Sequence, residues 1–209
     1  MDVTLYLVAD AEYAAGRDLA ALVAEAVAGG VTAVQLRGKG LTARALVELG
    51  RELAGRLAAS GVPLLVNDRL DAALACGAAG VHLGQDDLPV PAARAILGPG
   101  RTIGVSVNTP EEARRAEAEG ADHVGAGPAY ATSTKETSLP VLGPEGIGLI
   151  KRAVSIPVVA IGGIDAGNAA ALAAAGADGI AVVSAVLGAP DPRRAAADLR
   201  RAFSPRPRP

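Results

Sequence analysis

The sequence predicts a single-domain α/β fold, a (β/α)8 TIM barrel, on three observations. Short apolar runs alternate with longer Ala-, Leu- and Arg-rich segments along the chain, the pattern of βα units on a parallel sheet. Glycine stands just before several of those runs, in GGV (Gly29 to Val31), SGVP (Ser60 to Pro63), EGAD (Glu119 to Asp122) and AGAD (Ala175 to Asp178), where it closes the preceding helix. Polar and charged groups collect just after the runs, and barrels of this kind carry chemistry on the loops that follow their strands. A doubly wound open sheet is the alternative, but it usually has fewer strands and gathers its site at one switch point.

Taken in order, strands are expected at Leu5 to Ala9, Ala33 to Leu36, Leu64 to Val66, Gly80 to Leu83, Thr102 to Val107, His123 to Gly127, Val158 to Ile161 and Gly179 to Val183. Most are nearly continuous apolar runs, as expected where helices cover one face and side chains fill the other. Between the third and fourth, Asp71 to Ala79 has room for one crossover helix, which makes those strands parallel neighbours. The expected domain is 1–203, followed by a flexible Pro/Arg tail at 204–209, SPRPRP.

Half of the 209 residues are hydrophobic but only 2% are aromatic, so Ala, Val, Leu and Ile must fill the interior close against backbone. A net charge of −2 and a pI near 5.7 give no general attraction to nucleic acid or acidic membranes. Cys76 is the sole cysteine and lies in an apolar run, which excludes a disulfide framework and favours a buried, inert thiol. No charge-free apolar run reaches about 18 residues and no basic leader precedes TLYLVA, so the expected location is the cytoplasm. A homo-oligomer is compatible with the sequence.

The stretch LLVNDRLDAALACGAAGVHLGQDD reads as two strands that each end by presenting a carboxylate, Asp68 and Asp87. Two carboxylates on one rim can hold Mg²⁺, which binds through one or two carboxylates plus substrate phosphates. The competing reading pairs Asp68 with Arg69 and leaves Asp86 and Asp87 as ordinary turn residues. After the second strand, alternation aims Gln35 and Arg37 the same way, and Gly38 lets Lys39 turn over the mouth. Cations beside carboxylates suggest Mg²⁺ bridging a pyrophosphate whose remaining oxygens are held by Arg and Lys, whereas a solvated charge cluster is the plainer reading. Gln35 and Asn67 add amides able to read a heterocycle.

Gly162 and Gly163 end the seventh strand, and Val183 and Ser184 end the eighth. Loops at those two places commonly bind phosphate in barrels, so a phosphomonoester is expected over Gly163 and Ser184; the alternative is a plain turn with a helix cap. The long loop after the sixth strand, GPAYATSTKETSLPVLG, carries Thr132, Thr134 and Lys135 as donors to phosphate oxygens and reads as a lid, or else as disordered chain. His82 and His123 read as packed or surface residues rather than metal ligands.

Ordered motifs spread over nearly the whole chain resemble the thiamine phosphate synthase family. They are YLVAD (Tyr6 to Asp10), VQLRGK (Val34 to Lys39), LLVNDR (Leu64 to Arg69), GVHLGQDDLP (Gly80 to Pro89), IGVS (Ile103 to Ser106), GAGP with TSTK ending at Lys135, and AIGGI with AVVS. The resemblance implies a Mg²⁺-dependent transferase that joins an aminopyrimidine diphosphate to a thiazole phosphate, releases pyrophosphate by dissociative substitution and forms thiamine phosphate. It implies that Gln35, Leu36, Arg37, Gly38, Lys39, Asn67, Ser106 and Lys135 bind the pyrimidine diphosphate, with Arg37, Lys39, Ser106 and Lys135 catalytic. It further implies that Asp68 and Asp87 ligate Mg²⁺, and that Thr132, Ser133, Thr134, Gly163, Val183 and Ser184 bind the thiazole phosphate. One departure stands out: members commonly carry His two residues after the fifth-strand serine, where this chain has Asn108. A related tautomerase branch uses that His to shuttle protons, so Asn108 with the full acidic and basic set favours the synthase.

Overall fold

In the computed structural model, which describes residues 1–132, 134 and 139–204, the order opens with β1 (Leu5–Asp10), α1 (Leu19–Ala28), β2 (Ala33–Arg37) and α2 (Ala43–Leu57). A 3-10 turn at Ala58–Ser60 leads to β3 (Leu64–Asn67), α3 (Leu70–Cys76), β4 (Gly80–Leu83) and α4 (Val90–Leu97). Then follow β5 (Thr102–Val107), α5 (Pro110–Ala118), β6 (His123–Ala126), α6 (Gly143–Ala153), β7 (Val158–Ile161), α7 (Ala169–Ala174), β8 (Gly179–Val182), α8 (Ser184–Leu187) and α9 (Pro192–Ala202). Each strand pairs in parallel with the next, and β8 pairs with β1, so the sheet closes in chain order. The fold is the expected (β/α)8 barrel.

Several expected ends move by one residue. β1, β2 and β3 each run one residue further, because Asp10 stays paired with Arg37, and Asn67 with His82, in the ladder. β6 and β8 stop earlier, at Ala126 and Val182; Val183 leaves the extended conformation (φ −118°, ψ −80°) to start α8. The helix expected within Asp71 to Ala79 is α3, stopped at Cys76 by Gly77 with φ 72°. Ser133, Lys135 and the tail at 205–209 lie outside the described residues.

Alternation along the strands sorts side chains between two cores. Leu5, Leu7 and Ala9 join the large cluster between sheet and helices, whereas Tyr6 and Val8 join a smaller one with Ala33, Val159 and Ala181. Each fully buried Leu, Val or Ile contributes about 1.5–3 kcal/mol. The scarcity of aromatics is met by close helix contact: a Cβ on Gly50 of α2 would sit 2.9 Å from the Cys76 sulfur of α3. Cys76 is buried there, as expected, and that burial pushes its thiol pKa up.

The bottom of the barrel is fastened by the two GAD motifs. Gly120 and Gly176 close their helices with φ 95° and 97°. The aspartates that follow then cap strands. Asp122 accepts from the Ile103 amide at 2.7 Å and pairs with Arg94 at 2.6 Å. Asp178 accepts from the Val158 amide and pairs with Lys151, both at 2.8 Å. These contacts hold the end opposite the site, which leaves the C-terminal mouth free for chemistry. Among the described residues no helix is long and apolar enough to cross a membrane.

Candidate active site

The mouth leads into a cavity of about 210 Å³ lined from β1 by Tyr6, Val8 and Asp10, from β2 by Gln35 and Arg37, and across the barrel by Gly162, Gly163 and Ser184. One water needs about 10–15 Å³ of such space, so the cavity suits a small organic molecule.

One arc of the mouth is charged. Asp10 and Arg37 face each other across the β1–β2 ladder and form an ion pair, with Glu12 3.5 Å from the same guanidinium. Asp10 is only 3% exposed, and its other oxygen accepts the amides of Glu12 and Tyr13 at 3.0 Å. Glu12 also accepts the Gly40 amide, tying the loop after β2 to the loop after β1. Arg37 is therefore oriented by two carboxylates before any ligand arrives. Lys39, half exposed, pairs with Asp68 at 3.7 Å.

Asp68 follows β3 with φ 61°, the only non-glycine residue with positive φ among the described residues. Such a conformation costs of order 1–3 kcal/mol and persists where surrounding contacts fix it. The Asp68 amide donates to His82 O at 2.9 Å, across the ladder where Asn67 faces His82. The carboxylate is thereby turned toward Asp87, whose own oxygen accepts the Gly84 amide at 2.6 Å. Burial first, then contact with Asp87 and its negative charge, raise the Asp68 pKa; Lys39 and Arg37 oppose that rise. The competing pairing of Asp68 with Arg69 does not occur, because Arg69 turns to Asp71 at 2.8 Å. Among the described residues no group of three or more His, Cys, Asp or Glu converges as a metal cage. Two adjoining carboxylates are instead the partial oxygen set that suits a cation sharing its shell with phosphate and water.

The opposite arc is built from backbone and hydroxyls. Gly162 and Gly163 have φ 103° and 64°, and a Cβ at Gly163 would overlap Ala131 O and sit 2.9 Å from the Tyr130 Cβ. The turn after β7 thus lies against the loop that carries Thr132 and Thr134. Thr134 Oγ1 is 3.4 Å from Ser184 Oγ, which joins that loop to the start of α8. Asn168 Nδ2 donates to Gly163 O at 2.9 Å and fixes the turn. Gly163→Ala should destabilise the chain by about 1–3 kcal/mol, since both the φ and the space exclude a side chain; chemical denaturation checks this, and an unchanged midpoint would remove the argument.

Between the arcs lies a polar floor. Ser106 Oγ is 3.0 Å from His82 Nε2, and Ser106 O accepts from Gln85 Nε2 at 2.6 Å. Gln35 Nε2 donates to the Tyr6 hydroxyl at 3.2 Å, and burial raises that phenol's pKa. His123 is 2% exposed, and burial, with a smaller effect of the N-terminal charge, lowers its pKa to about 4. An unfolded imidazole titrates near 6.5, so the unfolded chain takes up a proton that the folded chain refuses. Stability should therefore be full above about pH 6.5 and fall as pH drops toward about 4, by roughly 3 kcal/mol from this group. Denaturant midpoints for wild type and His123→Phe across that window check it; parallel curves would contradict it.

Two expectations need adjustment. Leu36 is fully buried in the cluster beneath the helices, so its side chain faces away from the mouth. Gly38 is absent from the positive-φ glycines of the described residues; its role is space, a Cβ there falling 2.7 Å from Leu41 Cδ1. Both histidines are buried, in keeping with the packed reading, and each also lines the cavity. Val183 also lines the cavity, whereas Lys39, Asp68 and Asp87 stand on the rim beyond its lining. Asp10, Glu12 and Tyr6 were missed as site residues, although alternation in YLVAD places Tyr6, Val8 and Asp10 on one face.

A closed barrel whose mouth sets a charged arc against an arc of glycines and hydroxyls defines a (β/α)8-barrel enzyme with its site on the loops after the strands. A family model described as thiamine monophosphate synthase matches residues 5–186. The thiamine-phosphate synthase of Moorella thermoacetica is 51% identical over 196 residues, 94% of this chain and 93% of that one. That of Albidiferax ferrireducens is 52% identical over 196 residues, covering 94% and 90%. A solved structure of thiamine phosphate pyrophosphorylase from Pyrococcus furiosus superposes with a TM-score of 0.87 at 40% identity, covering 96% of this chain and 95% of that one. The chain belongs to the thiamine monophosphate synthase family, and with it to the transferases of thiamine biosynthesis.

Proposed function

We propose that this enzyme joins 4-amino-2-methyl-5-(diphosphooxymethyl)pyrimidine to thiazole phosphate, forming thiamine phosphate and pyrophosphate. The observation that carries the reading is that Lys39 meets Asp68 and Asp68 meets Asp87 beside Arg37 on one arc of the mouth, with Gly163, Thr134 and Ser184 on the other. The charged arc takes the diphosphate, and the glycine–hydroxyl arc takes the phosphomonoester. The two substrates then meet over the floor.

The thiazole nitrogen is already nucleophilic. The new bond joins it to the exocyclic methylene carbon of the pyrimidine as the bond from that carbon to the diphosphate oxygen breaks. An electron-rich aminopyrimidine supports positive charge on the methylene carbon, so departure of the diphosphate can run ahead of attack. The protein's main task is to hold charge where it develops. Arg37, fixed by Asp10 and Glu12, directs its remaining N–H groups at the leaving anion, and Lys39 adds a second cation. Asn67, Gln35 and Ser106 place the ring, and Lys135, outside the described residues, is proposed to follow the anion from the loop. Asp68 and Asp87 are the residues that would hold Mg²⁺, and the ion would supply countercharge to the diphosphate. The reading includes a cytoplasmic location.

Asn108 has no shuttle role in this scheme. Its amide donates to Glu112 at 2.6 Å and its side chain donates to Gly127 O, so it joins the ends of β5 and β6. Incubation with both phosphorylated substrates and Mg²⁺ should release pyrophosphate and form thiamine phosphate. Absence of both products, or thiazole isomerisation as the sole activity, would overturn the proposal.

A further inference from the structure

His123 stands on the same cross-strand row as His82, with Gly104 of β5 between them. The two rings lie 5.6 Å apart at 45°, and the Tyr6 ring is 5.9 Å from His123 on the other side. Gly104 makes the arrangement feasible, since a Cβ there would overlap both imidazoles. Among the described residues neither nitrogen of His123 has a hydrogen-bond partner. Yet the ring is 2% exposed and lines the cavity. Buried polar atoms without partners are few in folded proteins and costly to keep. A leucine or phenylalanine would fill the same space without that cost.

We infer that His123 is a specificity-determining residue whose imidazole exchanges a hydrogen bond with the donor–acceptor edge of the heteroaromatic ring that enters the barrel. The inference rests on the proposed pyrimidine substrate and deepens it. A neutral imidazole offers one N–H donor and one acceptor nitrogen, and an aminopyrimidine offers an exocyclic amine beside ring nitrogens. Tyr6 supports the same edge: its hydroxyl accepts from Gln35 at 3.2 Å, which leaves its own proton to donate. The side chains at this end of the cavity are neutral, while the charged groups sit at the mouth, so a ring goes in and its diphosphate stays out.

The test uses the intact chain with Mg²⁺. It has two histidines, so ¹⁵N-histidine labelling gives a simple spectrum. Adding the pyrimidine diphosphate should move the His123 ring-nitrogen resonance, and thiazole phosphate alone should not. In kinetics, His123→Phe should raise KM for the pyrimidine diphosphate about 10- to 100-fold with KM for thiazole phosphate unchanged. The same variant should lose the wild-type preference for the aminopyrimidine over its desamino analogue, and His123→Gln should recover part of it. A His123 resonance unmoved by the pyrimidine diphosphate, or moved equally by thiazole phosphate, overturns the inference. So does a His123→Phe enzyme that keeps both KM and preference. The labelled wild type decides the matter if the variant does not fold. A wild type that makes no product from the two substrates removes the proposed function itself, and this inference with it.

Discussion

Replacing Arg37 with methionine should lower kcat/KM by about 10²- to 10³-fold, the size of effect seen when one preorganised donor to a developing anion is removed. The loss should fall mainly on kcat, because the guanidinium matters most once the diphosphate carries its full departing charge. A second effect comes with it. Asp10 is 3% exposed and meets Arg37 directly, so the variant leaves a buried carboxylate short of its cation. Breaking such a pair costs about 3–5 kcal/mol, lessened here by the two amides that Asp10 also accepts. Urea unfolding and steady-state kinetics measure the two effects separately. Arg37→Lys should restore part of the stability and little of the turnover, since an ammonium cannot contact Asp10, Glu12 and a phosphate oxygen with one rigid fork. Turnover within about fivefold of wild type in Arg37→Met would contradict the assigned role.

Asp87→Ala should raise the Mg²⁺ concentration for half-maximal activity by at least about 10- to 100-fold, as for loss of a group that supports a metal site. It should also change the behaviour of its neighbour. Asp68 has its pKa raised by burial and by Asp87, so its folded-state value lies above the unfolded one. The stability tied to that shift is present below the unfolded value of 3.8 and is lost as pH rises through the folded value. Once Asp68 ionises, the metal-free chain bears the repulsion between its carboxylate and that of Asp87. A cation held between them relieves it, so Mg²⁺ with pyrophosphate should raise Tm more at neutral pH than in mild acid. In Asp87→Ala that difference should shrink. A Tm gain of the same size in both proteins at both pH values would remove Asp87 from the metal site.

The barrel was legible because its signals are local. Continuous apolar strands, glycines after helices and polar groups after strands each depend on a few neighbouring residues, and the eight strands lie where those signals put them. The shifted ends at Asp10, Arg37 and Val182 reflect the barrel rim, where ladder pairing rather than hydrophobicity decides how far a strand runs. The charged arc was legible for a similar reason. Asp68 and Asp87 each follow an apolar run, and parallel neighbours bring such ends together.

What stayed hidden depends on contacts between distant segments. Nothing near Arg37 in the chain announces Asp10, 27 residues earlier, as its partner; the pairing appears only once β1 lies beside β2. The left-handed backbone of Asp68 could not be read from an ordinary NDR sequence. Leu36 sits between Gln35 and Arg37, yet strand alternation turns its side chain to the helices while theirs face the cavity. His82 and His123 are 41 positions apart in the numbering, and only the register through Gly104 sets them side by side.

Asp68 and Asp87 are proposed to hold a divalent cation together against a diphosphate. Counting bound Mn²⁺ by electron paramagnetic resonance, with pyrophosphate present, tests it most directly. Wild type should bind one Mn²⁺ per chain, and Asp68→Asn with Asp87→Asn should bind none in the same range while remaining folded. Equal binding by the double variant and wild type would contradict the account.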